Sequence, residues 1–364
     1  MVMKIIYDHE IFCAQVVGGV SRYFVELATA ITASEQVEVS INAPLHVSRL
    51  LEAADPRVRS GRRLPVFPGV TKLTGLACAA TEGKLPRDVI LHGTWYRERP
   101  ARFSKFAITI HDMIAEKFPD QVRGAERQAR IKKASADAAD IVFCVSECTR
   151  DDLLDRYPWL EPKVVVTPLA TRIGSLGVEP MRSPVPYILY VGNRRGYKNF
   201  ATFARAFAVA NRIRSNYRIL CFGGEPLRQR EASSYGLSLG SSEGQVTRIS
   251  GDDELLEAAY RGASLVVVSS MYEGFGLPLL EATACGAPVL ASKAGSLREV
   301  GGDRIAYLTD ILSADAWTSA LDQALSPAQR QAEQPRFSPD TAPNNFGWSR
   351  TATLSTNAYQ KILP

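Results

Sequence analysis

Short apolar runs alternate with segments of helical period along most of this chain, and that alternation constrains its fold more than any other feature. Strands covered on both faces read as unbroken apolar runs, so the pattern specifies α/β layers around largely parallel sheets. In the first half it predicts strands at Lys4–Tyr7, Val37–Ile41, Asp88–Leu91, Phe106–Ile110, Ile141–Val145 and Val164–Thr167. Helices are predicted at Ser21–Ala33, Arg123–Ala138 and Thr149–Tyr157. From Pro168 to Pro186 the period breaks, with Gly174, Gly177, Pro180 and Pro184 marking a linker. A second series follows, with strands at Tyr187–Val191, Arg218–Phe222, Ser264–Ser269 and Pro288–Ser292. Its helices are predicted at Phe200–Arg212, Asp253–Arg261 and Pro278–Cys285.

A chain of 364 residues exceeds what one core organises, so two domains are expected. Residues 1–170 form the first, 171–186 the linker and 187–345 the second, with a loop over Ser326–Asn345 and helical spacing from Trp348 to Ile362. Two α/β lobes joined by a linker imply a cleft between them. The net charge of +5 is modest and gives no reason to expect nucleic acid. Six scattered cysteines, only Cys144 and Cys148 close together and with no histidine nearby, read as packing residues in a reducing compartment. Met1–Tyr7 runs straight into Asp8-His9-Glu10, unlike a signal peptide, and no apolar run reaches the length of a membrane span. A cytoplasmic protein is expected, with peripheral contact to the inner face of the membrane left open.

The strongest local signal is Ser269-Ser270-Met271-Tyr272-Glu273-Gly274-Phe275-Gly276-Leu277-Pro278-Leu279-Leu280-Glu281. An apolar strand enters a Gly-containing turn, and Pro278 marks the start of a helix whose N–H groups and dipole favour a phosphate. Glu273 lies in the loop and Glu281 about one turn inside the helix. One carboxylate can hold sugar hydroxyls and the other a ribose diol. On spacing alone, a glycine-rich connection with two solvated glutamates explains the segment equally well.

In the same lobe, Gly192-Asn193-Arg194-Arg195-Gly196-Tyr197-Lys198 follows a strand and opens a helix, placing cations where a departing diphosphate needs them. Gly223 and Gly224 end another strand, and Ser250 lies beside Gly251 and Asp252, with Asp253 a candidate helix cap. In the first lobe, Gly18 and Gly19 precede Ser21, a candidate helix cap, and their spacing is not a dinucleotide fingerprint. His92 and the pair His111-Asp112 each follow an apolar strand, where an imidazole serves either packing or a sugar hydroxyl. Arg57, Arg59, Arg62, Arg63 and Lys72 surround a loop. Solubility explains them; docking to an anionic bilayer carrying a lipid-linked acceptor is the sharper reading.

Tyr272-Glu273-Gly274-Phe275-Gly276-Leu277-Pro278-Leu279-Leu280-Glu281-Ala282, continued by Ala284-Cys285-Gly286-Ala287-Pro288-Val289 and Ser292–Asp303, resembles the signature of family-4 retaining glycosyltransferases of the GT-B fold. Gly18-Gly19-Val20-Ser21-Arg22-Tyr23-Phe24, after Tyr7-Asp8-His9-Glu10-Ile11-Phe12, resembles a bacterial branch of that family. The resemblance touches both lobes and the C-terminus and is weakest over 45–85 and 305–345. It implies two Rossmann-like domains, with the segment 346–364 returning to the first. It also implies that Glu273 contacts the transferred sugar and Glu281 the ribose, with Gly274, Phe275, Gly276 and Leu277 lining the donor beside Gly18, Gly19, Gly192, Gly223 and Ser250. Lys198, with Arg194 or Arg195, would stabilise the leaving diphosphate, although Asn193 stands where the family usually has arginine. His92 is the first candidate for the sugar or acceptor, followed by His111 and Asp112.

The implied activity moves a hexose from a nucleoside-diphosphate sugar to a saccharide or lipid-linked oligosaccharide in bacterial surface polysaccharide synthesis. Family habit leans to mannose from a GDP donor, with UDP-linked sugars open. No cofactor beyond the sugar nucleotide is expected, and no Asp-x-Asp stands in a metal-binding context, so a metal-independent reaction is expected. The rivals are a non-catalytic nucleotide-sugar-binding module and an epimerase or phosphorylase of the same fold. A glycogen-type phosphorylase would carry a pyridoxal lysine site, which is not recognisable here.

Overall fold

The protein is described by a computed structural model covering residues 2–33, 37–240, 244–326 and 346–363. The chain divides into two compact units, Met1–Ala170 with Asn345–Pro364, and Thr171–Asn344. The first contains the strands β1 (Met3–Tyr7), β2 (Val37–Ile41), β3 (Leu45–His46), β4 (Arg62–Arg63), β5 (Ile90–Gly93), β6 (Lys105–Ile110), β7 (Ile141–Cys144) and β8 (Val164–Val166). Six of them form a sheet in the order β2-β1-β5-β6-β7-β8, and β3 pairs with β4 in a small ribbon. The second unit contains β9 (Tyr187–Val191), β10 (Arg218–Phe222), β11 (Val246–Ile249), β12 (Leu265–Val268), β13 (Val289–Ser292) and β14 (Ala306–Leu308), ordered β11-β10-β9-β12-β13-β14.

Every pairing in both large sheets is parallel, so each unit gathers its strand-to-helix loops at one edge. Burial follows position. Central β12 (Leu-Val-Val-Val) is buried at all four residues, whereas edge strand β2 (Val-Glu-Val-Ser-Ile) alternates buried and exposed. The strand order reverses between β1 and β5 in the first unit and between β9 and β12 in the second. Open α/β sheets leave a crevice for ligands at such reversals, outside the carboxyl ends of the strands.

Aromatic packing ties helices to these sheets. In the second unit Tyr190 meets Phe200 at 4.7 Å between ring centroids, Phe200 meets Phe203 at 5.8 Å, and Phe203 meets Trp317 at 6.2 Å. Trp317 belongs to the helix Ala314–Ala324, capped by Ser313, in the stretch where the sequence resemblance is weakest. In the first unit the C-terminal helix Trp348–Gln360 buries Tyr359 and sends Thr351 Oγ1 to the carbonyl of Pro168 at 2.7 Å.

Several local expectations are corrected. The helix expected from Ser21 begins at Gly19 with Gly18 as its N-cap, and Ser21 Oγ donates back to the Gly18 carbonyl at 3.0 Å. Asp252, not Asp253, caps Asp253–Gly262, its Oδ1 accepting from Leu255 N at 3.0 Å. Pro278 is the second residue of the helix Leu277–Ala284 rather than its first. The helix expected over Phe200–Arg212 breaks at Ala210, giving Phe200–Val209 and Asn211–Asn216. The stretch 171–186 belongs to the second unit, where the buried carboxylate of Glu257 accepts from the N–H groups of Gly174, Leu176 and Gly177 at 2.6, 3.1 and 3.2 Å. From residue 327 on, the loop expected over Ser326–Asn345 lies outside the described residues. No helix among the described residues is long and apolar enough to cross a membrane.

Candidate active site

At the reversal point of the second unit, the loop after β12 meets the loop after β9. Glu273 is nearly buried there, and its Oε1 accepts from Lys198 Nζ at 2.7 Å and from Ser270 Oγ at 2.6 Å. Lys198 closes the short 3-10 turn Gly196–Lys198 that follows β9. The two loops are also joined through their backbones: Met271 N donates to the Tyr197 carbonyl at 2.7 Å, and Ser269 Oγ to the Lys198 carbonyl at 2.8 Å. Behind Glu273, Ser296 donates its N–H and hydroxyl to the Glu273 carbonyl at 3.2 and 3.0 Å. Gly295, at φ +55°, presses so close that a Cβ there would stand 2.6 Å from the Glu273 carbonyl oxygen. Glu273 is therefore held both at its carboxylate and at its main-chain carbonyl.

Gly274, Phe275 and Gly276 are buried in the same turn and Leu277 is half-buried. Gly276 caps the helix Leu277–Ala284 at φ +94°, a left-handed conformation that glycine adopts without strain. Glu281 lies inside that helix and accepts from Tyr260 OH at 2.8 Å. Burial, reinforced by the charge of Glu281, holds the Tyr260 phenol well above its ordinary range, so it stays a donor.

The two arginines after β9 differ sharply. Arg194 is buried, with Nε bonded to Glu231 Oε1 at 3.0 Å and Nη2 to the Glu225 carbonyl at 2.8 Å. Its Nη1 is buried yet has no hydrogen-bond acceptor among the described residues. Arg195 is exposed and pairs with Glu225 Oε2 at 2.7 Å. A buried guanidinium with an unmet donor is costly unless a ligand completes it. Gly192 and Gly223 front open space at the same sheet edge. Arg248, which the sequence reading missed, fixes this edge: it donates to the carbonyls of Gly223 and Gly224 at 3.1 and 2.9 Å and reaches the exposed Ser250 Oγ at 3.4 Å. The signal for it is an arginine and a serine alternating at the end of β11, one of the strands that the apolar pattern does not mark. Tyr260, Ser270 and Ser296 were missed too, because only tertiary contacts give them a role.

The first unit places its candidates differently. His92 is fully buried, stacked on Phe143 with centroids 5.2 Å apart. Its Nδ1 meets Tyr359 OH at 2.5 Å and its Nε2 meets Thr109 Oγ1 at 2.9 Å. Both ring nitrogens are thus engaged inside the unit. The expectation that His92 faces a sugar is corrected to one in which it fastens the C-terminal helix to the sheet. Burial, with the nearby His111, pushes its pKa down to about 3. His111 lies edge-on to Tyr23, its pKa also lowered to about 3 by burial and then by Lys132, and its buried Nε2 has no partner among the described residues. Asp112 Oδ1 accepts from Ile114 N at 3.0 Å, while its carbonyl takes the buried Lys132 Nζ at 2.8 Å. Of the histidines proposed for ligand contact, His111 is the one with an unmet nitrogen. Gly18 is half-buried and Gly19 exposed at the start of their helix.

Comparison with known proteins places this geometry. Sucrose-phosphate synthase from Thermosynechococcus elongatus shares the fold with a TM-score of 0.73 at 21% identity, each chain covered to 99%. Two parallel Rossmann-like units of this kind define the GT-B class. Residues 17–171 match the model described as Glycosyltransferase Family 4, and residues 178–336 match Glycosyl transferases group 1. An O-antigen chain mannosyltransferase B of Escherichia coli is 28% identical over 294 residues, covering 76% of this chain and 75% of the relative. A D-inositol 3-phosphate glycosyltransferase of Kineococcus radiotolerans is 27% identical, covering 95% and 91%. The chain belongs to the family-4 glycosyltransferases of the GT-B fold, and it is a transferase enzyme.

Proposed function

We propose that the protein transfers a hexose from a nucleoside-diphosphate sugar, with retention of anomeric configuration, to a saccharide or lipid-linked acceptor in bacterial surface polysaccharide synthesis. The observation that carries this reading is the Lys198–Glu273 pair, 2.7 Å apart, at the carboxyl edge of the second sheet, with Arg194 and Arg195 in the same loop after β9. A diphosphate seated against these cations gains preorganised charge stabilisation as it departs, and removing one such donor costs on the order of a hundredfold to a thousandfold in rate. Glu273 positions the sugar, Glu281 with Tyr260 takes the ribose hydroxyls, and the departing phosphate assists removal of the acceptor proton. Neither carboxylate acts as the base. The side chains supply the positive charge, so chelation with EDTA should leave the rate unchanged.

Mannose from GDP-mannose is the preferred donor, supported by the similarity to an O-antigen chain mannosyltransferase. UDP-linked sugars are the competing class. A thermal-shift panel of GDP-, UDP-, ADP- and dTDP-linked sugars tests the assignment. The GDP donor should raise the melting temperature most; a larger shift with UDP donors would overturn the nucleotide, and no shift with any donor would overturn the site.

A further inference from the structure

Cys13 and Cys78 are 65 positions apart in the sequence, yet the fold brings their sulfurs to 3.9 Å inside the first unit. Both are buried, at 3 and 0% exposure. Cys13 belongs to the short helix Glu10–Ala14 that follows β1, and Cys78 to the helix Val70–Glu82. The Leu45 carbonyl faces both sulfurs, 3.2 Å from Cys78 and 3.5 Å from Cys13. Each thiol has one proton to give. With Cys78 donating to the carbonyl over the shorter distance, Cys13 is left to donate to the Cys78 sulfur. That contact holds the Cys78 thiol below its ordinary value and the Cys13 thiol above it. Burial instead raises Cys144 and Cys285 and pushes Cys221 up to about 12. Among these five, Cys78 is the one set to react as a thiolate, and its neighbour is a second thiol.

The helix that carries Cys78 is docked by little else. It buries one residue per turn: Val70, Thr74, Cys78 and Glu82. The Thr74 hydroxyl turns back onto the Val70 and Thr71 carbonyls of its own helix at 3.0 and 3.1 Å. Glu82 holds Arg97 at 2.9 and 3.1 Å, and Arg97 reaches Asp8, directly after β1, at 3.1 Å. Docking therefore rests mainly on one valine, this ion pair and the contact between the thiols. A helix with so little buried apolar surface opens locally more readily than the sheet beneath it, which admits a small oxidant. A disulfide needs its sulfurs about 2.05 Å apart, so from 3.9 Å the bond closes a gap of only about 2 Å.

We infer that Cys13 and Cys78 are an oxidation site, where hydrogen peroxide forms a disulfide that staples the helix Val70–Glu82 to the carboxyl edge of the first sheet. The Cys78 thiolate attacks one peroxide oxygen, the O–O bond breaks, and the departing hydroxide leaves as water with the proton that Cys78 gave up. Cys78 is then a sulfenic acid, its sulfur oxidised by two electrons. Cys13 attacks that sulfur; the S–S bond forms, the S–O bond breaks, and hydroxide leaves as water with the Cys13 proton. Two thiols and one peroxide thus give one disulfide and two waters. The inference holds whatever sugar the protein transfers.

Treatment of the reduced, folded full chain with hydrogen peroxide tests it, followed by alkylation, digestion and mass mapping of linked peptides, with thermal melting in parallel. The wild type should yield a Cys13–Cys78 link, and its melting temperature should rise by about 5 °C or more. Dithiothreitol should reverse both changes. C13S should form no link and should leave Cys78 as a sulfenic acid that dimedone traps, and C78S should show neither the link nor the rise. No Cys13–Cys78 link in the wild type would overturn the inference, as would links to other cysteines in its place or a link that forms only in urea. A link that leaves the melting temperature unchanged or lowers it would overturn the staple, and the two thiols would then be packing residues alone.

Discussion

His92 and Glu273 show how burial sorts residue types that the sequence presents alike. Each comes after an apolar run in the sequence, but His92 lies within β5, enclosed by Phe143, Thr109 and Tyr359, whereas Glu273 is anchored by Lys198 and Ser270 at a sheet edge. The buried imidazole has a pH consequence. Its folded pKa of about 3 lies below its ordinary value of 6.5, so the unfolded chain takes up the proton first on acidification. Its contribution is fully present above pH 6.5 and is lost as pH falls towards 3, at up to about 1.4 kcal/mol per pH unit. The melting temperature of H92Q should therefore fall less steeply than that of the wild type between these limits, with His111 retaining its own share. Parallel profiles would contradict this account. The sequence identified the residue but not its side of the boundary between core and ligand, because an apolar strand followed by histidine looks the same in both cases.

Elements were legible where a strand is an unbroken apolar run or alternates strictly between apolar and polar residues. Val37–Ile41, Tyr187–Val191 and Arg218–Phe222 lie where the apolar runs put them. Edge strand β11 was missed because Val-Thr-Arg-Ile is half polar, and the helix Val70–Glu82 because its outward face is apolar as well, which erases the amphipathic period. The Gly- and Pro-rich stretch after Pro168 had the composition of a free linker, yet Glu257 gathers it onto the second unit. Burial alone would raise the pKa of Glu257, but Arg261 and the N–H groups of Leu176 and Gly174 hold it below the ordinary carboxylate value. Its stabilisation is thus present above pH 4.5 and lost on further acidification. Replacing Glu257 with alanine should cost about 3 kcal/mol of stability in urea unfolding and expose 171–181 to proteolysis. An unchanged urea midpoint and cleavage rate would show that the clamp contributes nothing.

At the scale of the molecule, the alternation of strands and helices fixed the class of fold, and the motif around Glu273 gave the family resemblance. The site needed more than either. Lys198 and Glu273 are 75 positions apart, and they meet because the strand order brings β9 beside β12. Arg194 and Arg195 could not be separated by sequence, since their difference is one of burial against Glu231 rather than of residue type. The family motifs mark the loops; parallel sheet topology turns those loops into one edge. The most direct test of that edge as the donor site is the steady-state rate of sugar transfer by K198A and E273Q, each confirmed folded by its thermal melt. Both variants should lose a hundredfold or more, on the order expected for removing a preorganised charge or its anchor. Rates within about threefold of wild type for both would place the chemistry elsewhere.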